Sequence, residues 1–221
     1  MNSQIQELLK IPQYEQRSPE WFNQRKDKLT SSDAASVLGM NKYKDYKTVL
    51  FEKCGIKSDF VGNEATLHGQ KYEQTAIDKY CEIFGKKNFD FGLIEYTSVY
   101  TDGKYPWLAG SPDGICQNID DPYAPATLLE VKCPYRRKIV EGYCPECYFP
   151  QVQLNMYITN LYVADFIEFV PTETMNVVRM YRDEEWLDWA LPILDSFWKE
   201  VEHYRHVGID KHPNYTRSLS I

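Results

Sequence analysis

Between Gln70 and Phe84 the apolar residues return every three or four positions: Tyr72, Ala76, Ile77, Tyr80 and then Ile83 or Phe84. That period predicts a helix with one buried face over 69–85, which Gly85 stops. Upstream, Ser18 and Pro19 open the segment "RSPEWFNQRKDKL" as a helix, because serine caps free amides and proline suits the first helical position. "TSSDAASVLG" predicts a short helix capped by Thr30 or Ser31, and "YKTVLFEKCG" another that ends at Gly55. After residue 85 the period changes. "NFDFGLIEYTSVY", "WLAGSPDGIC" and "ATLLEVKC" are short, rich in β-formers and separated by turn residues, which predicts three strands. "YFPQVQLNMYITN" predicts a helix, and "YVADFIEFVP" and "MNVVRMYR" predict a pair of strands. The chain then closes on a long helix, "DEEWLDWALPILDSFWKEVEHYRHVG", with acids in its first turn and a kink at Pro192. This order predicts an α/β fold, a mixed central sheet flanked by helices, in a single domain over 1–221.

One strand carries charge where burial is expected. In "TLLEVKCP" side chains alternate, so Leu129 and Val131 share one face and Glu130 and Lys132 the other. As an exposed ion pair the two would contribute roughly 0–1 kcal/mol. Asp113, in "SPDG", taken alone is an ordinary turn aspartate. If their strands pair, however, Asp113 and Glu130 converge. Two carboxylates with waters and a backbone carbonyl suit a hard divalent cation, and without one their repulsion is costly. Lys132 would then stand where it can orient a water or meet charge developing on a phosphate.

Composition narrows the setting. The 221 residues are 43% hydrophobic and 14% aromatic, enough for a real core. "MNSQIQELLKIPQYEQ" lacks the apolar run of a signal peptide and no stretch reaches membrane-span length, so an intracellular protein without a membrane partner is expected. The six cysteines are then expected as free thiols. Cys144 and Cys147 form a CxxC, but a structural Zn²⁺ needs about four ligands. Cys133 and Cys116 would have to join them, and no zinc site is expected. The net charge of −7 is unevenly spread. Residues 17–57 carry nine bases against five acids, 132–138 four bases and no acid, and 183–202 seven acids and one lysine. A basic front and an acidic back suit a DNA binder, although ordinary solvated faces give the same pattern.

The motifs, in order, carry a resemblance. Pro112-Asp113 with Glu130-Val131-Lys132 resembles the PD-(D/E)XK nuclease signature. "SPEWFNQRKDKLTSSDAASVLG", "HGQKYEQTAIDKY" and "YFPQVQLNMYITN" resemble, in sequence order, blocks of the phage lambda exonuclease family, the YqaJ-like viral recombinases. Together they cover about 140 residues, from Ser18 to Asn160. The resemblance implies a restriction-endonuclease-like core and an Mg²⁺- or Mn²⁺-dependent deoxyribonuclease. Its expected action is 5′→3′ exonucleolytic, on double-stranded DNA ends, in viral or phage recombination. It implies that Asp113, Glu130 and the Val131 carbonyl bind the metal, that Lys132 is catalytic and that Glu73 supports the metal directly or through water. Gln151 would orient the attacking water or a phosphate, with Gln153 and Tyr157 as weaker candidates one helical turn apart. Arg25, Ser32 and Ser111 would hold a 5′-phosphate. Each has a plainer reading: Arg25 as a surface arginine, Ser32 as a helix cap, Ser111 as a turn serine. Trp21 is expected in the core and His68 as a satisfied histidine near a helix start.

Two segments depart from the family pattern. The loop from Ile115 to Thr127 matches nothing, and the insert "RRKIVEGYCPECY" either brings Arg136, Arg137 and Lys138 to DNA or covers the site. An endonuclease, an exonuclease of opposite polarity and a non-cleaving DNA-end-binding protein are the alternatives. A strand-annealing protein is a plausible partner, and an oligomer is compatible with the sequence.

Overall fold

The computed structural model describes residues 1–56, 62–171 and 174–215; Lys57, counted above in the basic stretch, lies outside them. Capping chemistry sets the helix starts. Asn2 accepts from the amides of Gln4 and Ile5 ahead of α1 (Ser3–Leu9), and Ser18 accepts from Trp21 ahead of α2 (Pro19–Lys26). The two-residue strand β1 (Leu29–Thr30) runs directly into α3 (Ser31–Val37), and Asp45 caps α4 (Tyr46–Lys53). The long α5 (Glu64–Phe84) starts upstream of the apolar period because Asn63 accepts from Thr66, and it ends on Gly85 in the left-handed conformation.

Two of the expected strands each divide. Segment 88–100 becomes β2 (Lys86–Phe89), β3 (Ile94–Glu95) and the single-turn α6 (Tyr96–Val99). Segment 107–116 becomes β4 (Leu108–Gly110) and β5 (Gly114–Asn118). The first break contains Gly92, where a Cβ would lie 2.2 Å from the Tyr14 carbonyl oxygen, so the N-terminal segment crosses there. The second contains Pro112, which has no amide to give a ladder. The halves then join different sheets. A three-stranded sheet runs β1-β4-β3. A five-stranded sheet runs β2-β5-β6-β7-β8, with β6 (Thr127–Lys132), β7 (Val163–Val170) and β8 (Thr174–Tyr181).

In the larger sheet β6 and β7 are parallel and the other pairs antiparallel, so the sheet is mixed as the sequence predicts. The parallel pair needs a crossover, which contains α7 (Phe149–Ile158). Helices cover both faces. On one, Ala76, Ile77 and Tyr80 of α5 pack on Leu129, Val131, Ile167 and Phe169. On the other, Val152 and Leu154 of α7 and Leu194 and Phe197 of α8 (Glu184–Val207) pack with Leu128 and Phe166. Helix α8 is continuous through Pro192. Strand β6 is thus sandwiched, and Glu130 projects toward α7.

Candidate functional site

The antiparallel ladder of β5 and β6 matches Gly114 with Leu129 and ends there, whereas β6 continues alongside β7 to Lys132. Asp113 occupies the opening this leaves. Its amide donates to the Leu129 carbonyl at 3.2 Å, and its Oδ2 accepts from the Val131 amide at 2.7 Å. A strand residue projects its N–H and C=O to the same edge, so the Val131 carbonyl faces this opening too.

Glu130 is 0% exposed, which removes the surface ion-pair reading. Its Oε2 accepts from Asn155 Nδ2 at 3.1 Å, and its Oε1 pairs with Lys132 Nζ. Lys132 keeps 24% of its side chain exposed and lies 5.4 Å from the centroid of the Tyr148 ring. Asn155 is a residue that motif matching missed. It sits four positions after Gln151 on α7, one turn along the same face, and that spacing was the signal available. Gln151 itself is half-buried in the first turn of α7. Gly110 makes room for this support: a Cβ there would come 2.3 Å from Asn155 Oδ1 and 3.0 Å from Ile158 Cδ1. Gly110→Ala is therefore expected to displace Asn155 from Glu130 and cost about 1–3 kcal/mol in urea denaturation. An unchanged midpoint would refute the tight fit.

The electrostatics of this edge are those of neighbouring buried carboxyls. Burial raises the Asp113 carboxyl above the usual range, against the pull of Lys132. Burial raises Glu130 to about 8, with the Asp113 charge adding to it and Lys132 opposing. Glu73, on α5, is raised by burial and then by Asp113, against Arg17. Burial disfavours the Lys132 ammonium, but Glu130 and Asp113 outweigh it and hold the lysine far above its ordinary range. Oxygen donors on an anionic, partly dry edge fit Mg²⁺, which takes one or two carboxylates and completes its shell with water. Asp113, Glu130 and the Val131 carbonyl are the groups that would hold it, with Glu73 to hand. Among the described residues no three His, Cys, Asp or Glu side chains already converge as a cage. The four cysteines fall on two sides of the sheet: Cys116 and Cys133 pack on the α5 side, and Cys144, with Cys147 near it, on the α7 side.

Arg25, Ser32 and Ser111 do come together. The Arg25 guanidinium lies 4.3 Å from the centroid of the buried Trp21 ring and donates to Thr30 Oγ1 (3.2 Å) and Ser32 Oγ (3.0 Å). Trp21 Nε1 donates to Ser111 Oγ at 3.4 Å, and Ser111 donates to the Gly92 carbonyl. Ser32 is not the cap of α3, since that position belongs to Thr30. Beneath lies Asp33, 3.1 Å from both Lys53 and Lys44 and accepting from Thr30. Burial opposes ionisation of Asp33, but Lys53, Lys44 and Arg25 hold it well below the carboxylate range.

The remaining candidates have other partners. Gln153 is buried, donates to the Tyr181 carbonyl and accepts from the Asp183 amide, so it ties β8 to α8. Tyr157 stacks against Tyr96 and Tyr100. Arg137 pairs with the buried Glu168 and anchors the insert to β7. Arg136 is exposed and lies over Tyr135. His68 stacks on Tyr72 and Tyr135, and its buried Nε2 has no hydrogen-bond partner among the described residues.

The geometry has counterparts elsewhere. A family model described as the YqaJ-like viral recombinase domain matches residues 20–162. An uncharacterized protein of Acanthamoeba polyphaga mimivirus is 33% identical over 177 residues, 76% of this chain and 31% of that protein. A protein of African swine fever virus is 28% identical over 164 residues, 66% of this chain and 46% of that protein. The chain thus spans 31% and 46% of these two relatives' lengths, less than half of either. Among solved structures, an alkaline exonuclease from Laribacter hongkongensis (LHK-Exo) superposes with a TM-score of 0.71 at 23% identity, covering 86% of this chain and 95% of that one. A phage-related exonuclease from Haemophilus somnus gives 0.58 at 14% identity, covering 81% and 94%. These likenesses establish the fold, a PD-(D/E)XK-like core as the sequence resemblance implied.

Proposed function

Because the chain belongs to the YqaJ-like viral recombinase family, we propose that it is a divalent-cation-dependent deoxyribonuclease that degrades linear duplex DNA from its 5′ ends. The observation that carries this reading is the meeting of Asp113 with Glu130, Val131 and Lys132 where the β5 ladder stops. Bound at that edge, Mg²⁺ would supply Lewis acidity to the scissile phosphate and lower the pKa of the attacking water.

The chain's own groups do the rest. Val131 N–H holds the Asp113 carboxylate in place, and Asn155 holds that of Glu130. Lys132 keeps its proton next to both acids and presents a fixed positive charge to the negative charge that builds on the phosphate. Gln151, on the same helix face as Asn155, would orient water or a phosphate oxygen. The Arg25, Thr30, Ser32 and Ser111 cluster offers a guanidinium and hydroxyls to a terminal phosphate. A strand-annealing protein is the expected recipient of the single strand produced.

Two experiments test this. Linear duplex should be degraded in Mg²⁺ and left intact in EDTA, with a 5′ label released before a 3′ label. Early 3′ release would reverse the polarity, and cleavage of closed circles would make the protein an endonuclease. A 5′-phosphorylated end should be digested about tenfold faster than a 5′-hydroxyl end, the scale of one charge-assisted contact. Arg25→Met, which keeps the stem on Trp21, should abolish that preference. Equal rates on both ends in the wild type would remove the Arg25 pocket from the reading.

A further inference from the structure

Two cavities flank the carboxylate edge. One, of about 590 Å³, lies on the side of Asp113, Asp90 and Phe91. The other, of about 430 Å³, lies on the side of Lys132, Tyr135 and Tyr148. The residues lining both are Arg17 and Glu73. Their ion pair is thus the partition, with Arg17 Nη2 at 3.0 Å from each Glu73 oxygen. It is not sealed in: the side chains are 44% and 26% exposed.

Arg17 reaches this position from an unfavourable backbone. Its φ is 70°, a left-handed value that costs a residue with a Cβ. Its neighbours impose it. Gln16 Nε2 donates to the carbonyls of Phe91 (2.8 Å) and Pro112 (3.1 Å), and Ser18 is fixed as the cap of α2. The strained residue is therefore clamped beside Asp113, and its conformation delivers a guanidinium onto Glu73. A single guanidinium nitrogen reaching two carboxylate oxygens leaves the fork's other donors available. A phosphate is a strong competitor for such a fork, because it accepts bidentate, charge-assisted hydrogen bonds.

We propose that Arg17 and Glu73 form a latch across one strand-binding groove, and that a backbone phosphate of bound DNA takes the Arg17 guanidinium from Glu73. The two cavities then join past Asp113 and Lys132, and the released carboxylate faces Asp113. Arg17 acts as a phosphate contact and, through Glu73, as a positioning residue. The latch rests on the reading of this edge as the place where a DNA strand lies.

The test measures binding rather than cleavage. Fluorescently labelled duplex is titrated in EDTA at several salt concentrations with wild type, Glu73→Gln, Arg17→Ala and the double variant. Glu73→Gln frees Arg17 and should bind about tenfold tighter than the double variant. Its plot of log Kd against log salt should be steeper by about one phosphate contact. The wild type should share the steeper slope of Glu73→Gln, because the bound phosphate takes Arg17, but bind more weakly than that variant, because the ion pair with Glu73 must first open. Equal affinity and slope for Glu73→Gln and the double variant would overturn the latch; a merely structural pair would lower Tm in both single variants and move neither quantity. The nuclease reading is judged separately, by Mg²⁺-dependent cleavage with the wild type. The latch can thus fail with cleavage intact or hold without it, and absence of binding in all four proteins would overturn the latch alone.

Discussion

Asp113→Asn should lower Mg²⁺-dependent hydrolysis of linear duplex by about 10²–10³-fold, the scale of losing an electrostatic group from a reacting centre. The same change should leave the metal-free protein at least as stable as the wild type. An asparagine Oδ1 can still accept from the Val131 amide, so the closure of β5 on β6 is retained. What disappears is a buried charge that raises both Glu130 and Glu73. Glu130 has a folded-state value of about 8, well above the roughly 4.3 of an unfolded glutamate. Between those limits the folded protein holds protons that the unfolded chain releases, so metal-free stability falls as pH rises from about 4.3 to about 8. Removing the Asp113 charge brings Glu130 back toward its ordinary range and flattens that slope. Thermal denaturation in EDTA from pH 5 to 8, beside a nuclease assay, reads both effects. Wild-type cleavage by Asp113→Asn, or a variant markedly less stable at pH 8, would sink the assignment.

Asp33→Ala should have the largest effect on folding, about 3–5 kcal/mol in urea denaturation, because it strands buried cations. Lys53 keeps only 10% of its side chain exposed, and its burial already works against its charge. Arg25 is likewise disfavoured by burial and helped by Asp33. Without the carboxylate, Lys53 of α4 would lose its acid on α3, Lys44 in the loop before α4 would keep only Glu52, and Arg25 would lose the charge that fixes it near Ser32. The depressed Asp33 carboxyl also gives an acid signature. Its contribution is complete above about pH 4, where the unfolded aspartate is ionised, and is lost only as pH falls well below that. A loss under about 1 kcal/mol would show that the cations find water or other partners.

The parts of this molecule legible in its sequence are those set by neighbours in the chain. The apolar period of α5, the Ser18-Pro19 start and the alternation in "TLLEVK" are local, and the structure keeps all three. The division of the strands at Gly92 and Pro112 depends on which backbone crosses them, and no local pattern reports that. The alternation told which residues share a face with Glu130, but its complete burial follows from α7 packing there. Arg17 and Asn155 escaped for the same reason: one reaches α5 across 56 positions and the other reaches β6 across 25. Gln153 is the converse case, since a motif spacing drew attention to an amide whose hydrogen bonds run to the backbone of 181 and 183.

The loop after β5, without a counterpart in any motif, lies at the far end of the hairpin from Asp113, roughly 20 Å away at strand rise. Asp121 folds it into a tight turn, and Asn2 accepts the task of holding it by donating to the Pro122 and Ala124 carbonyls. Tyr123 at its tip is 94% exposed. This remoteness makes the hairpin tip a handle: a dye or surface tether at position 123 would let individual molecules be followed on DNA without touching the end proposed for the chemistry.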